Sequence, residues 1–132
     1  MPQPVLHFEI IGTAPAALRD YYGQLFGWQF DTTGPVAPPV SAAGDYGFTS
    51  PGGGIPGGVG GGDGFAPHVV FYVGVPDVAA ALREAERLGG IRTMGPARAP
   101  GRDLVVAHFT DPEGNLIGLA SVSGPASPAR PR

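Results

Sequence analysis

The residues of this chain best suited to chemistry are its three histidines, His7, His68 and His108, together with Glu9. His7 and Glu9 lie two residues apart in Val5-Leu6-His7-Phe8-Glu9-Ile10-Ile11, a run whose apolar, branched content predicts a strand. Side chains alternate along a strand, so His7, Glu9 and Ile11 share one face, with the α-carbons of His7 and Glu9 about 7 Å apart. An imidazole and a carboxylate on one face can take protons from, or return them to, a bound molecule. His68 opens a second apolar run, His68–Val75, with Val70 and Tyr72 on its face. His7, Glu9 and His68 can act as hydrogen-bonded walls of a polar pocket. His108 lies on the strand entering the last hairpin and reads as a satisfied or edge histidine. Turned inward, it would add a base or a ligand. Among the aromatics, Tyr72 shares the face of His68, and Trp28 stands where a sheet would curl. Either can line a cleft and stack on a flat ligand.

These residues need strands and helices to bring them together. Thr13 reads as a helix N-cap, Pro15 as a first-turn residue and Gly27 as the stop, with Leu18, Tyr21 or Tyr22, Leu25 and Phe26 as the apolar stripe. Trp28-Gln29-Phe30 begins a strand, residues 33–44 are loop, and Asp45–Thr49 and Ile55–Val59 are short strands. The six glycines among residues 57–64 read as a linker. After the strand at 68–75, Pro76-Asp77 starts a helix buried through Val78, Leu82, Ala85 and Leu88, and Gly89-Gly90 ends it. Strands follow at 91–94, 104–110 and 116–122, with a loop at 95–102.

Composition removes several classes of function. The 132 residues carry a net charge of −3 and no basic run, which gives no reason to expect nucleic acid. There is no cysteine, so no disulfide, thiolate nucleophile or Cys-based metal site. No apolar run approaches the ~18 residues of a membrane span, and no signal-peptide layout opens the chain. A cytoplasmic location is expected. Gly52-x-Gly54-x-x-Gly57 matches a dinucleotide pattern by letter only, because Pro56 argues against the helix that pattern requires.

Phe109-Thr110-Asp111-Pro112-Glu113-Gly114-Asn115-Leu116 reads as a hairpin, and Phe48-Thr49-Ser50-Pro51-Gly52-Gly53 precedes it by 61 residues in register. The same spacing relates His7 to His68 and Pro15 to Pro76. Each half reads strand, helix, glycine stop, strand, loop, strand, hairpin, strand. Neither half alone covers both faces of its sheet, so the two must share a core. The expected fold is α+β, with two tandem βαβββ modules at 4–59 and 67–122, a linker at 60–66 and a disordered tail at 123–132.

His7-Phe8-Glu9-Ile10, Leu25-Phe26-Gly27-Trp28, Val75-Pro76-Asp77-Val78 and Asp111-Pro112-Glu113-Gly114-Asn115 together resemble the vicinal oxygen chelate superfamily, the glyoxalase, bleomycin-resistance and dioxygenase group. The resemblance covers about residues 4–122 and implies cupped mixed sheets around a central cleft. Metal-dependent members draw up to four ligands from four equivalent strand positions, which fall here on His7, Gly57, His68 and Gly118. The position of Gly118 is usually Glu in those members, and glycine has nothing to donate. The resemblance therefore implies binding of a small, partly aromatic organic molecule with no metal cofactor favoured. His7, Glu9 and His68 then offer acid–base help, and Trp28, Tyr72, His108 and Gly118 line the site. The alternative it implies is a metal-dependent lyase, isomerase or extradiol-type dioxygenase using His7, Glu9 and His68. A homodimer is expected by analogy.

Overall fold

Alternating apolar residues set β1 (Val5–Gly12) and β4 (His68–Val75) side by side at the centre of the sheet in the computed structural model, which describes residues 2–121. The tail from Ser123, expected to be disordered, lies outside the described residues. The two strands run antiparallel, with His7 opposite Tyr72, Glu9 opposite Val70 and Ile11 opposite His68. This register carries the sequence repeat. Moving His7 and Ile11 along by 61 residues gives His68 and Tyr72, so one pair maps onto the other and the pseudo-two-fold axis passes through Glu9 and Val70.

Each central strand has a parallel outer neighbour, β3 (Gly57–Gly61) beside β1 and β7 (Leu116–Ser121) beside β4. With β2 (Gly47–Thr49), β5 (Ile91–Arg98) and β6 (Val105–Thr110) the order is β2-β3-β1-β4-β7-β6-β5. The sheet is cupped and open. Its concave face carries His7, Glu9, Ile11, Val70 and Tyr72; the opposite face is crossed by α1 (Pro15–Phe26) and α2 (Val78–Arg87). None of the described helices is long and apolar enough to cross a membrane.

The helices dock differently. Asp77 caps α2, its carboxylate accepting from the Ala80 N–H at 3.0 Å. α2 then seats Val78 and Leu82 against Val75, Ala107 and Leu119. α1 begins after Ala14 rather than Thr13, with no side-chain cap, and ends at Gly27 in the left-handed region. Its Tyr22 and Phe26 stack around Trp28, which also meets Phe8. That aromatic stack keeps residues 28–30 near the helix, so the strand expected there is replaced by a single bridge between Asp31 and Phe48.

Three further expectations are corrected. The glycines at 57–61, read partly as linker, form the buried strand β3, and the connector shortens to residues 62–67. The reason is steric: Cβ atoms at Gly58 and Gly60 would run into the ring of Tyr46. β5 extends to Arg98 through the expected loop, because a register shift between Met94 and Ala97 relieves Pro96 of any ladder bond. Finally, Ile11 pairs with Gly60 and Tyr72 with Gly118, so the structural counterpart of Gly118 is Gly60, not Gly57. The β2–β3 connection spans residues 50–56 whereas the β6–β7 turn spans 111–115, which displaces the last strand of the first half. That second turn is held by the Asp111 carboxylate, which accepts from the backbone N–H of Glu113 and of Asn115, both at 2.9 Å.

Candidate functional site

Glu9 sits on the pseudo-two-fold axis and is only 2% exposed. Buried carboxylates require partners, and Glu9 has two. The Tyr46 hydroxyl donates to its Oε1 at 2.9 Å and the Tyr72 hydroxyl to its Oε2 at 2.8 Å. Each phenol has one proton, spent on Glu9, so its oxygen is free to accept. His7 Nε2 lies 3.0 Å from the Tyr46 oxygen and His108 Nε2 lies 2.7 Å from the Tyr72 oxygen. With Glu9 ionised, both imidazoles therefore carry their proton on Nε2. The result is one continuous chain: His7, Tyr46, Glu9, Tyr72, His108.

Several elements position this chain. β1 contributes His7 and Glu9 through strand alternation, and β4 contributes Tyr72. Tyr46 precedes β2 on a loop tied down from two sides. Arg19 of α1 donates to the carbonyls of Asp45 and Val59, and buried Ser41 accepts from the Gly61 N–H at 2.9 Å. His108 comes from β6, directly opposite Gly118. Gly118 leaves room for the Tyr72 ring: a Cβ there would stand 2.6 Å from Tyr72 Cδ1 and 2.9 Å from the Phe71 carbonyl oxygen.

Burial dominates the electrostatics. It pushes the Glu9 carboxyl up to about 7, against the pull of its two tyrosine bonds. It holds the His7 and His108 imidazoles down at about 4, with His68 adding to the effect at His108. It also raises both tyrosines, and the Glu9 charge raises them further. Near neutrality the chain thus holds neutral imidazoles, neutral phenols and a carboxyl poised between its two forms.

A cleft of about 550 Å3 opens over this network. Its walls include Leu6, Val36, Val40, Phe48, Leu104 and Val106; His7, Glu9, Tyr46 and Tyr72 supply polar groups, and Asp31 and Arg102 also line it. Asp31 is occupied by the N–H and hydroxyl of Thr33. Arg102 forms no ion pair among the described residues. Of the expected site residues, His7, Glu9 and Tyr72 come together here. His108 is buried behind Tyr72 as a satisfied histidine, and Gly118 lies beneath the Tyr72 ring. Trp28 belongs to the aromatic stack on the helix side and does not line the cleft.

His68 does not join His7 and Glu9. It stands opposite Ile11, four positions down the ladder from the pair His7–Tyr72, or about 13 Å along the strands. Its Nδ1 donates to the Ala66 carbonyl at 2.9 Å, and its Nε2 is buried without a partner among the described residues. The residues present do not fit a metal. Both Glu9 oxygens are taken by hydroxyls, His7 and His68 are far apart, and no three His, Asp or Glu side chains among the described residues converge on one point. The set His7, Glu9 and His68 is thus corrected to His7 and Glu9 with Tyr46 and Tyr72. Tyr46 and Arg102 had not been singled out as site residues. A signal for Tyr46 was present: Tyr46 and His108 occupy matching places against Gly60 and Gly118, a correspondence hidden by the displaced strand.

Solved structures with this architecture include a hypothetical protein from Bacillus halodurans, 14% identical with a TM-score of 0.63, covering 93% of this chain and 96% of that one. Streptomyces coelicolor methylmalonyl-CoA epimerase in complex with 2-nitronate-propionyl-CoA is 12% identical with a TM-score of 0.59, covering 94% and 97%. A glyoxalase/bleomycin resistance protein/dioxygenase superfamily member from Vibrio splendidus is 11% identical with a TM-score of 0.57, covering 92% and 100%. At these identities the likeness concerns the fold. No curated protein matches the chain by sequence. The model of the Glyoxalase/Bleomycin resistance protein/Dioxygenase superfamily matches residues 5–119, and the chain belongs to that superfamily.

Proposed function

We propose that this protein binds a small, partly aromatic organic molecule in the cleft and does so without the four-ligand metal site of its superfamily. The observation that carries the reading is the Tyr46–Glu9–Tyr72 arrangement. At the centre of the concave face stands a carboxyl ringed by hydroxyl donors, the reverse of a cation ringed by carboxylates. The apolar walls suit a flat hydrocarbon body and His7 offers a polar contact. Arg102 suits an acidic group on the ligand. A related fold holds a small organic ligand in the Streptomyces coelicolor epimerase complex. Any chemistry at the cleft would be proton transfer through His7 and Glu9.

The test has two arms. Thermal shift across a panel of small aromatic acids and their neutral analogues should yield ligands that raise Tm, with the acids losing their advantage in Arg102→Ala. Elemental analysis of the purified protein should find far less than one divalent metal per chain. Metal near one equivalent, lost in His7→Ala, would restore the metal-dependent lyase, isomerase or dioxygenase reading, and a panel without any shift would sink the binding reading.

The same reading includes a cytoplasmic homodimer. Val69 and Phe71, on the convex side of β4, are 66% and 41% exposed, and Leu25 and Phe26 of α1 add 57% and 56%. An apolar strip of this kind suits a second copy. Light scattering should give a dimer mass that falls to a monomer in Phe71→Glu.

A further inference from the structure

We propose that His7, Tyr46 and Glu9 form a proton relay, by which a molecule in the cleft gives its proton to the Glu9 carboxyl by way of His7. This rests on the cleft being the binding site and names how that site handles protons. With Glu9 ionised, every bond in the arm points toward it: His7 Nε2–H to the Tyr46 oxygen at 3.0 Å, and Tyr46 O–H to Glu9 Oε1 at 2.9 Å. His7 Nδ1 then carries the lone pair. A weak acid in the cleft, an O–H, N–H or activated C–H, passes its proton to Nδ1. In the same step the Nε2 proton moves to the Tyr46 oxygen and the Tyr46 proton moves to Glu9. The acid is left as its conjugate base, keeping the electron pair, and Glu9 is left neutral. His7 ends as the Nδ1–H tautomer, with Nε2 now accepting from Tyr46. Charge is conserved, no water takes part, and the reverse sequence returns the proton.

Three features favour a relay over a static wall. The end of the relay that meets the cleft is an imidazole, the one common side chain that can accept at one nitrogen while releasing at the other. Desolvation keeps His7 from holding a net charge, so it changes tautomer rather than becoming a cation. And the Glu9 carboxyl, pushed up to about 7, can hold or release the proton near neutrality. The groups facing Glu9 are His7 on its own strand, Tyr46 from the loop before β2, Tyr72 on β4 and His108 on β6. The Tyr72–His108 arm ends away from the cleft and keeps its polarity, because Glu9 gains a single proton on the Tyr46 side and Tyr72 goes on donating to Oε2.

The relay predicts an observable in the protein without any ligand. In 15N-histidine-labelled protein, His7 should be the Nε2–H tautomer above pH 8 and the Nδ1–H tautomer below pH 6, with a midpoint at about 7 that coincides with the 13C titration of the Glu9 carboxyl. The ring should stay neutral throughout. Tyr46→Phe should leave Glu9 titrating and abolish the His7 switch, and Glu9→Gln should make His7 indifferent to pH between 6 and 8, which decides the matter if the first variant does not fold. A His7 tautomer that ignores the Glu9 titration, a switch that survives Tyr46→Phe, or a His7 that becomes doubly protonated near neutrality would each overturn the proposal. Because no ligand is present, failure here leaves the binding reading intact, and a silent ligand panel leaves this titration decisive.

Discussion

The two halves of the molecule share a topology and a register, yet they divide its tasks. The second half is the better anchored. α2 has a side-chain cap and drives Leu82, 0% exposed, into a cluster with Val75, Val78, Ala107 and Leu119. The first half supplies His7, Glu9 and Tyr46 to the buried network. Its helix has no side-chain cap, leaves Tyr21, Leu25 and Phe26 mostly in solvent, and packs by aromatic stacking around Trp28. Its last strand is mostly glycine, which lets Tyr46 settle onto the sheet and reach Glu9. At the axis the first half supplies Glu9 and the second supplies Val70. A duplicated fold can thus free one copy for a buried polar centre while the other holds the structure.

The sharpest way to break this contrast is to truncate one leucine in each helix. Leu82→Ala should cost about 3 kcal/mol or more, as for a fully buried leucine. Leu25→Ala, at 57% exposure, should cost less than about 1 kcal/mol. Equal losses in urea melts would mean that α1 is as deeply anchored as α2.

The second test concerns Glu9 and pH. A carboxyl whose pKa rises on folding binds its proton more tightly in the folded chain. Its contribution to stability is therefore greatest below pH 4.5, is lost between 4.5 and about 7, and is constant above. At about 1.4 kcal/mol per pH unit the loss amounts to about 3 kcal/mol. His7 and His108 act in the opposite sense: held at about 4, they remove stability as pH falls from 6.5. Urea melts of the native protein should peak in mildly acidic solution. Glu9→Gln should remove the alkaline decline and keep the acidic one. If both limbs survive the substitution, the site is not the seat of the pH dependence.

A smaller effect is expected at the glycine of the second half. Gly118→Ala places a methyl 2.6 Å from the Tyr72 ring and 2.9 Å from the Phe71 carbonyl, and should cost about 1–3 kcal/mol as overpacking. The same change should shift the Tyr72 ring resonances. An innocuous Gly118→Ala would show that the glycine is not what seats the tyrosine.

Much of the fold was legible in the chain itself. The strand pairs, α2 and the Asp111–Asn115 turn announced themselves through alternation, helical spacing and turn residues, each a local property. So did the shared face of His7 and Glu9. The rest was not local. β3 could not be told from a linker because its glycines pack under Tyr46, and a glycine's burial depends on what lies over it. Trp28 reads as cleft or as helix stack until Phe8 is placed beside it. Tyr46 stayed hidden because it meets Glu9 across 37 positions of chain, and His68 was drawn into the wrong set because strand alternation gives its face but not its height on the ladder.

The contact between Gly118 and Tyr72 also gives the site a direction in sequence space. In metal-dependent relatives the position of Gly118 usually bears glutamate. The single change Gly118→Glu would drive a carboxylate into the Tyr72 ring while Glu9 still held its two hydroxyls. The reverse order, Tyr72 shrinking first, would strip Glu9 of one donor and leave a buried carboxylate half satisfied. Either first step costs stability before any new ligand set exists. Glycine and tyrosine are thus interlocked, and a glutamate at position 118 would require a smaller residue at position 72 in the same step.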